Sequence, residues 1–423
     1  MSPTFRSLAN RNYRRYAAGG VVSNTGTWMQ RVAQDWLVLQ LSGNSGTAIG
    51  ITTGLQFLPF LLMAPFAGLV ADRMPKHRLL QLTNVAMAAP ALVLGVLAVT
   101  GRAELWHVYV LAFLLGTASV FDAPARQSFV SEIVDPDDVS NAVGLNSASF
   151  NVARIVGPAV AGVMIAALGG GAVATGWVIL LNSVSYVAPI IALRSMDRRL
   201  LTSPEPSKRT PRAILAGFSY VRRRPDLMLV LAIVFFTGTF GLNFQMTSAL
   251  MATKVYDKGP SEYGLLGTFM AVGSLTGALV AARRVQVRQR LIIVAAVVFG
   301  VVEMVAALMP TYVTFAVMTP LLGLSALTMI TAANTYMQMN TEATMRGRVM
   351  ALYMMIFMGG TPLGAPVVGW VGEAMGARWT LILGGGLTIL GVLGAVAVFL
   401  RAHPATQPET PEAPGAQGQP LVA

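Results

Sequence analysis

Long runs of uncharged, apolar residues recur along this 423-residue chain and constrain its fold more than any other feature. Each run is about 20 residues long, which is the length a helix needs to cross the hydrocarbon core of a bilayer. Only 11% of the residues are charged, whereas soluble domains carry about a quarter. Because every backbone polar group in hydrocarbon must be paired within the protein, runs of this length are expected to be helices. The sequence therefore predicts an all-α membrane protein.

Twelve membrane spans are predicted, six before and six after one long polar stretch. They are Tyr16–Leu41, Thr47–Ala71, Leu79–Thr100, Leu105–Phe121, Ala142–Leu168, Ala172–Leu193, Leu227–Thr253, Tyr263–Ala282, Leu291–Met309, Tyr312–Thr335, Val349–Gly372 and Trp379–Leu400. The predicted units are an N-terminal six-helix bundle (residues 1–194), a cytoplasmic linker (195–226), and a C-terminal six-helix bundle (227–401). The remainder, 402–423, is rich in Pro, Gln, Ala and Glu and is predicted to be a disordered tail.

Basic residues are distributed unequally between the two sides of the predicted membrane. Of 30 lysines and arginines, 24 lie in the termini and loops of one side and four in the opposite loops, while Arg31 and Arg154 lie within spans. Loops rich in these residues stay cytoplasmic, so both termini are predicted to be cytoplasmic in a multi-pass protein of the cell (plasma) membrane. The net charge of +12 is spread over short loops and does not indicate a nucleic-acid partner. The chain has no cysteine, which excludes disulfides and thiol chemistry.

The two halves share a pattern in their fifth predicted spans. Five residues of the first half recur 207 positions later with the same identity. The pairs are Leu145 and Leu352, Phe150 and Phe357, Gly157 and Gly364, Gly162 and Gly369, and Gly169 and Gly376. We interpret this as a duplicated unit. Membrane proteins built from such repeats have their binding site near the bilayer midplane, between the repeats.

A motif at the end of the second predicted span contains Gly68, Asp72, Arg73, Lys76 and Arg78 in the order GLVADRMPKHR. It resembles the signature of the major facilitator superfamily, Gly-x-x-x-Asp-Arg followed by a basic cluster between helices two and three. The resemblance implies the major facilitator fold of two pseudo-repeated six-helix bundles. It also implies a gate that locks the cytoplasmic side in the outward-open state. A glycine permits close approach of two helices, and a carboxylate at a helix boundary can meet a helix N-terminus or an arginine.

Three further stretches are similar to a bacterial drug:proton antiporter branch that contains macrolide- and enterobactin-exporter-like proteins. They are WMQRVAQDWL at 28–37, DAPARQ at 122–127, taken as part of a loop after span four, and NVARIVGP at 151–158. Gly157, Pro158 and Gly162 are similar to the antiporter motif of exporters, although its doubled terminal glycine is missing. An alternative interpretation is a proline-bent helix with no bearing on direction. The resemblance implies a small-molecule substrate, a lipid bilayer as surroundings and a monomer.

An ion gradient is the expected energy source. None of the four lysines follows a glycine, so the sequence contains no Gly-Lys-Ser/Thr phosphate loop. The three histidines are scattered and predict no metal site. Nothing in the sequence predicts an enzyme or a cofactor.

Four ionisable residues lie within predicted spans, namely Arg31, Asp35, Arg154 and Glu303. Such groups are costly in a bilayer and are therefore candidates for a function. Arg31 and Asp35 are four residues apart on one helical face. They are either a permanent salt bridge or a proton-carrying carboxylate with a tuning partner. Arg154 either holds Asp35 or binds an anionic cargo. For Glu303, in the ninth span, a packed or snorkelling carboxyl is favoured over a proton carrier.

The leading hypothesis from the sequence is a proton-coupled exporter of small amphipathic compounds, such as drugs, secondary metabolites or siderophore-like molecules, that works by alternating access. One rival hypothesis is a transporter of a defined polar metabolite, such as a sugar or organic anion, but the spans contain few polar residues for such a site. A second rival is a membrane scaffold or sensor that transports nothing. That reading gives an intact gate motif no role.

Overall fold

A computed structural model describes residues 3–202, 213–282 and 287–402, and within these ranges it contains helices and no strand. The predicted linker residues 203–212 and the predicted tail from residue 403 lie outside the described residues. The twelve spans are α1 (Arg11–Ser42), α2 (Gly46–Arg73), α3 (Lys76–Val99), α4 (Leu105–Ile133), α5 (Val139–Ala167), α6 (Ala172–Arg194), α7 (Pro225–Val255), α8 (Pro260–Ala282), α9 (Gln289–Ala307), α10 (Tyr312–Met339), α11 (Ala343–Ala374) and α12 (Ala377–Ala402).

Three of the spans are composed of shorter helices. Span α6 divides into Ala172–Ser185 and Val187–Arg194, and α11 into Ala343–Gly359 and Thr361–Ala374. Span α7 consists of Pro225–Phe236, a π-helical turn Thr237–Gly241, Phe244–Leu250, and a second π-helical turn Met251–Val255. Outside the spans, the described residues form the 3₁₀ helices Pro3–Ala9, Pro136–Asp138 and Arg198–Leu200 and the α-helix Ala213–Arg222.

Eleven helices in the described ranges, α2 to α12, are long and apolar enough to cross a membrane. Span α1 has the necessary length but carries more polar residues, and it packs between α5 and α6. The buried face of α1 includes Gln30, Gln34 and Asp35. Its polar groups therefore face other helices of the bundle rather than lipid, which is compatible with a twelfth span.

Local sequence signals set where α1 ends and α2 begins. Span α1 ends at Gly43, which has a φ of 63° and so takes the left-handed conformation that favours glycine at a helix C-terminus. Span α2 begins after Ser45, whose side chain accepts a hydrogen bond from the backbone N–H of Ala48 at 3.2 Å. Such a cap satisfies one of the donors that a helix start leaves unpaired.

The predicted loop 122–140 after the fourth span was wrong over its first part, because α4 continues to Ile133. Asp122 and Arg126 lie one turn apart on this helix, and the Asp122 carboxylate accepts from Arg126 Nε at 2.7 Å. Asp122 also accepts from Thr83 Oγ1 of α3 at 2.8 Å. The charges that suggested a loop are thus paired inside the helical bundle, so they do not end the helix.

The two halves meet along two seams at one end of the bundle. In the first seam, α2 packs against α11, and a Cβ added at Gly50 would collide with the carbonyl oxygen of Ala365. In the second, α5 packs against α8, and Thr268 Oγ1 donates to the carbonyl oxygen of Ile155 at 2.7 Å. Backbones that approach this closely require small residues. This end, which lies opposite the start of α1, is closed.

At the other end the halves are apart. Gly68 near the end of α2 and Gly144 near the start of α5 have open space where a Cβ would point, with no atom within 4 Å. The N-terminal helix lies at this same end, because Ser7 Oγ donates to Asn141 Oδ1 at 2.7 Å. The close helix contact expected at Gly68 is therefore absent from this conformation, since the gate end of the bundle is open.

The glycines that recur at an offset of 207 make equivalent contacts in the two halves. Gly157 of α5 faces Trp28 of α1, and its counterpart Gly364 of α11 faces Thr239 of α7. Gly162 and its counterpart Gly369 both face the opposite half, at α8 and α2 respectively. Two helices with the same glycines in the same roles confirm the prediction of a pseudo-repeated fold.

Candidate functional site

A cavity of about 580 Å³ lies between the two halves and is lined by α1, α2, α4, α5, α7, α8 and α11. Its wall carries the aromatic residues Trp28, Phe57, Phe60, Phe150, Phe244, Tyr263 and Phe357 and the amides Gln34, Gln56, Gln127, Asn243 and Gln245. A mostly apolar wall with a few polar groups is typical of sites for small organic molecules. Among the described lining residues three are charged, and all three had been singled out in the sequence: Arg31, Asp35 and Arg154.

Asp35 is held across the boundary between the halves. Its Oδ2 accepts a hydrogen bond from the hydroxyl of Tyr263 at 2.7 Å, which joins α1 of the first half to α8 of the second. The Tyr263 ring also stacks on Trp36, with 6.4 Å between the ring centroids. The sequence did not identify Tyr263, because a single tyrosine at the start of an apolar span carries no signal of a partner 228 residues away.

The permanent salt bridge considered for Arg31 and Asp35 is absent from the ion pairs of the described residues. Arg31 Nη1 instead makes a long, 3.5 Å contact with Gln245 Oε1 of α7. Its guanidinium carbon also lies 4.8 Å from the centre of the Trp28 ring, a cation–π arrangement. A four-residue spacing permits pairing on a helix, but here Tyr263 satisfies the carboxylate and Arg31 is left facing the cavity.

Arg154 projects into the same cavity from α5. Its Nε and Nη2 atoms are closed off from solvent, and neither has a hydrogen-bond partner in the part of the chain that the structure describes. More than nine in ten buried polar groups in proteins are paired, so two such atoms on one side chain are unusual. The alternative in which Arg154 holds Asp35 is not realised in this conformation, because no described hydrogen bond or ion pair joins the two, and Asp35 is bonded to Tyr263.

The first π-helical turn of α7, Thr237–Gly241, begins the part of that span that borders the cavity. Gly238 in this turn and Leu242 directly after it line the cavity wall. Short π-helical turns are rare and concentrate at functional sites. No pattern in the sequence predicted this turn, since an apolar run is equally compatible with an α-helix and with a π-helical turn.

Glu303 of α9 lies away from the cavity, where its side chain faces α7 and α12. Its side chain is only 2% exposed, and Oε2 has no hydrogen-bond partner among the described residues. The carboxyl is packed against Gly241 and Gly384. This position agrees with the packed carboxyl favoured from the sequence, and the structure gives Glu303 no access to the cavity that Asp35 lines.

The residues of the gate motif lie at the open end of the bundle. Lys76, at the start of α3, forms an ion pair with Glu132 near the end of α4. Arg73 and Arg78 are exposed, and Asp72 lies at the end of α2. The motif therefore occupies the edge between α2 and α3, where α11 of the other half is not in contact with Gly68.

Two residues of the helix-bend motif, Pro158 and Gly162, form part of the α5–α8 seam, whereas Gly157 packs against α1. Helix α5 runs unbroken through Pro158, and the carbonyl oxygen of Pro158 lies where a Cβ of Gly264 would point. A Cβ added at Gly162 would meet the carbonyl oxygen of Pro260, 2.5 Å away. Pro158 also lines the cavity. The motif thus connects the cavity wall to the contact between halves.

Comparison with known proteins identifies the family to which this chain belongs. Residues 2–419 match the model of a family described as transmembrane secretion effectors (MFS_3). The chain belongs to this family of the major facilitator superfamily. It is a membrane transporter, which confirms the resemblance drawn from the sequence motifs. The multidrug efflux pump Tap of Mycolicibacterium fortuitum is 30% identical over 392 residues, covering 90% of this chain and 93% of Tap. The staphyloferrin A transporter of Staphylococcus aureus is 23% identical over 368 residues, covering 86% of this chain and 90% of that protein.

Among solved structures, a bacterial homolog of the human lysosomal transporter Spinster in an inward-facing, unoccupied conformation is similar to this transporter with a TM-score of 0.72. The identity is 14%, and the similarity covers 93% of this chain and 97% of that one. At this identity the likeness shows the fold alone. It is the fold predicted from the apolar runs and the gate motif.

Proposed function

We propose that this transporter exports small amphipathic organic compounds in exchange for protons, by alternating exposure of the central cavity. The observation that carries the proposal is the hydrogen bond between Asp35 and Tyr263. It joins the two halves at the cavity wall, so it must break if the halves separate at this level. A carboxylate whose partner depends on conformation is suited to taking up a proton in one state and releasing it in another.

Proton coupling through Asp35 is supported by the charges around the cavity. Among the described lining residues, Asp35 is the acidic one. It is only 8% exposed, and it faces the cavity through which cargo would pass. A protonatable group in a membrane marks an ion pathway when it can reach water from both sides in turn. Asp35 lines the cavity that is proposed to open to each side in turn, whereas Glu303 does not line it.

An amphipathic cargo is supported by the composition of the cavity wall. Aromatic rings and methionines such as Met270 and Met354 provide apolar area, and amide side chains provide adaptable hydrogen bonds. A volume of about 580 Å³ lies within the range of roughly 300–1,000 Å³ found for drug-sized ligands. The named roles of the relatives, multidrug efflux and siderophore transport, support the same class. Transport is proposed to involve no covalent reaction, and the protein to act as a monomer.

The gate motif and the helix-bend motif have proposed roles in this cycle. Gly68, Asp72 and their basic neighbours lie at the open end, where closure of the halves would bring α2 towards α11. We assign them to the lock of that end in the opposite conformation. Pro158 and Gly162 are assigned to the α5–α8 seam, where close packing holds the other end shut, and Gly157 to the packing of α5 against α1.

Transport by the purified protein in liposomes tests the proposed function. With an imposed pH gradient, acidic on the side into which cargo is pumped, amphipathic dyes should accumulate against their own gradient, and a protonophore should abolish the accumulation. Cells that overproduce the protein should likewise retain less of such a compound. If a broad panel shows no efflux while a single polar metabolite is taken up, the export function is wrong.

The orientation in the membrane has its own prediction. Because basic residues are concentrated on the side of both termini, that side should be cytoplasmic. Two reporters should be fused after Arg401, one that is active only in the cytoplasm and one that is active only in the periplasm. The cytoplasmic reporter should be active and the periplasmic reporter inactive. A matched fusion in the opposite loop at Arg102 should give the reverse result. Periplasmic activity of the fusion after Arg401 would contradict the proposed topology.

A further inference from the structure

Arg154 has hydrogen-bonding capacity that no described residue uses in this conformation. The unpaired atoms, Nε and Nη2, form one edge of the guanidinium. Elsewhere in the protein this same edge binds carboxylates. Arg126 uses Nε and Nη2 to hold Asp122 at 2.7 and 3.2 Å, and Arg224 uses them to hold Asp226 at 2.9 and 2.8 Å. The Nε–Nη2 edge of Arg154 is therefore unoccupied and of the kind that binds carboxylates. Because both atoms are closed off from solvent in this conformation, a ligand reaches them only when neighbouring side chains move.

The charges of the cavity favour an anion. Arg31 and Arg154 face it together with Asp35, so the described lining carries a surplus of positive charge whether or not Asp35 is protonated. Asp35 does not fill the free edge of Arg154, because no described residue bonds to Nε or Nη2, and the Asp35 carboxylate instead accepts from Tyr263 of the other half. A buried guanidinium without a counter-ion is costly, and an anionic ligand would supply that counter-ion.

The surroundings of Arg154 specify the rest of the ligand. Phe150 lies one helical turn before Arg154 on α5, and its ring meets that of Trp28 edge-on, with 5.8 Å between the centroids. Both rings line the cavity. An apolar, ring-containing body attached to a planar acid group would therefore meet aromatic surface and the guanidinium edge together.

We propose that Arg154 binds the carboxylate of the cargo, and that amphipathic organic acids are a cargo class of this cavity. This assignment rests on the proposed export function, since it places the cargo in the same cavity. It is compatible with the proposed direction, because a membrane potential that is negative inside favours outward movement of an anion.

Binding of three matched probes tests this assignment. They are 1-naphthaleneacetate, neutral 2-(1-naphthyl)ethanol and cationic 2-(1-naphthyl)ethylamine, measured by equilibrium dialysis on full-length protein in nanodiscs, with empty nanodiscs subtracted. Wild-type protein should bind the acid about 10- to 100-fold more tightly than the alcohol, the range of a charge-assisted bidentate contact. The amine should bind most weakly.

Two variants and a control test whether Arg154 causes the preference for the acid over the alcohol. Arg154→Gln should lower the acid to the affinity of the alcohol while leaving the alcohol unchanged. Asp35→Asn, which removes a negative charge from the cavity, should preserve or strengthen binding of the acid. Arg102→Gln changes an exposed arginine outside the cavity and should alter none of the three affinities. Thermal unfolding of each variant verifies that it is folded, and the wild-type ranking is decisive without any variant.

The assignment is overturned if the wild type binds the alcohol or the amine as tightly as the acid, or binds no acid. It is also overturned if folded Arg154→Gln retains the preference. Because binding is measured without a gradient, these outcomes are separate from a failure of export. Efflux of dyes without a preference for the acid would contradict only the proposed cargo class. A preference for the acid without gradient-driven transport would contradict only the proposed export function.

Discussion

Replacing Asp35 by asparagine should abolish uphill transport driven by a pH gradient, while binding of cargo in the cavity persists. Asparagine keeps the shape of the side chain and can still accept a hydrogen bond from the Tyr263 hydroxyl, which lies 2.7 Å from Asp35. It cannot take up or release a proton. Accumulation against a gradient in liposomes should therefore fall by at least about tenfold, because a coupling group must change its charge as it is exposed to each side.

Glu303→Gln is the matched control for this substitution. It also replaces a buried carboxyl by an amide, but at a site that is 2% exposed and outside the cavity. Coupling should remain largely intact. Because the carboxyl packs against Gly241 and Gly384, any effect of the substitution should be on the amount of folded protein. Cargo-induced proton release from detergent-solubilised protein, normalised to folded protein, compares the two variants. Release that persists in Asp35→Asn and is lost in Glu303→Gln would reverse the assignment.

Tyr263 is a positioning residue in this scheme, since it acts on Asp35 and not on the cargo. Tyr263→Phe would remove the donor and retain the ring that stacks on Trp36. A purely structural role would change the amount of folded protein alone. A role in setting the protonation of Asp35 would also shift the pH profile of transport in folded protein, which is the readout that separates the two.

The sequence predicted the parts of this molecule that depend on local chemistry. Apolar runs of bilayer length identified the eleven spans α2 to α12, because the requirement for internal backbone pairing leaves a helix as the solution. The more polar α1 was also predicted and is a helix of spanning length. The glycines at an offset of 207 identified the repeat, because close backbone approach leaves few alternatives to glycine. Arg31, Asp35 and Arg154 were singled out because charge in a span is costly, so that charges found there are candidates for a function, and all three line the cavity.

The parts that the sequence missed depend on contacts between distant residues. The partner of Asp35 is 228 positions away, and four-residue spacing suggested Arg31 in its place. The extension of α4 through Asp122 and Arg126 was missed because both charges are satisfied by partners on α4 and α3. The unpaired edge of Arg154 could not be predicted from the sequence either. It depends on the three-dimensional packing, which leaves Nε and Nη2 without a hydrogen-bond partner among the described residues.

A covalent link across the closed end should stop transport. The α2–α11 seam ends at Glu373, whose Oε2 accepts from Ser45 Oγ at 2.6 Å and from the backbone N–H of Thr47 at 3.0 Å. If the cavity must open at this end, this contact between the halves must separate in every cycle. The native chain has no cysteine, so Ser45→Cys with Glu373→Cys introduces the only two thiols available to a short bifunctional reagent that forms a disulfide bond with each thiol.

Joining this pair should reduce gradient-driven transport by more than about tenfold, because one of the two alternating conformations can no longer form. A reductant that cleaves the link should restore transport. Each single-cysteine variant treated with the same reagent controls for modification alone.

The pair Glu262→Cys and Tyr312→Cys joins α8 to α10 within the second half, where the Tyr312 hydroxyl donates to the Glu262 carbonyl at 2.9 Å. That link leaves both halves free to move and should leave transport near the rate of untreated protein. If the protein linked between Ser45→Cys and Glu373→Cys transports as fast as the single variants, this end does not open during the cycle, and the exchange of conformations proposed for Asp35 and Tyr263 has no structural basis.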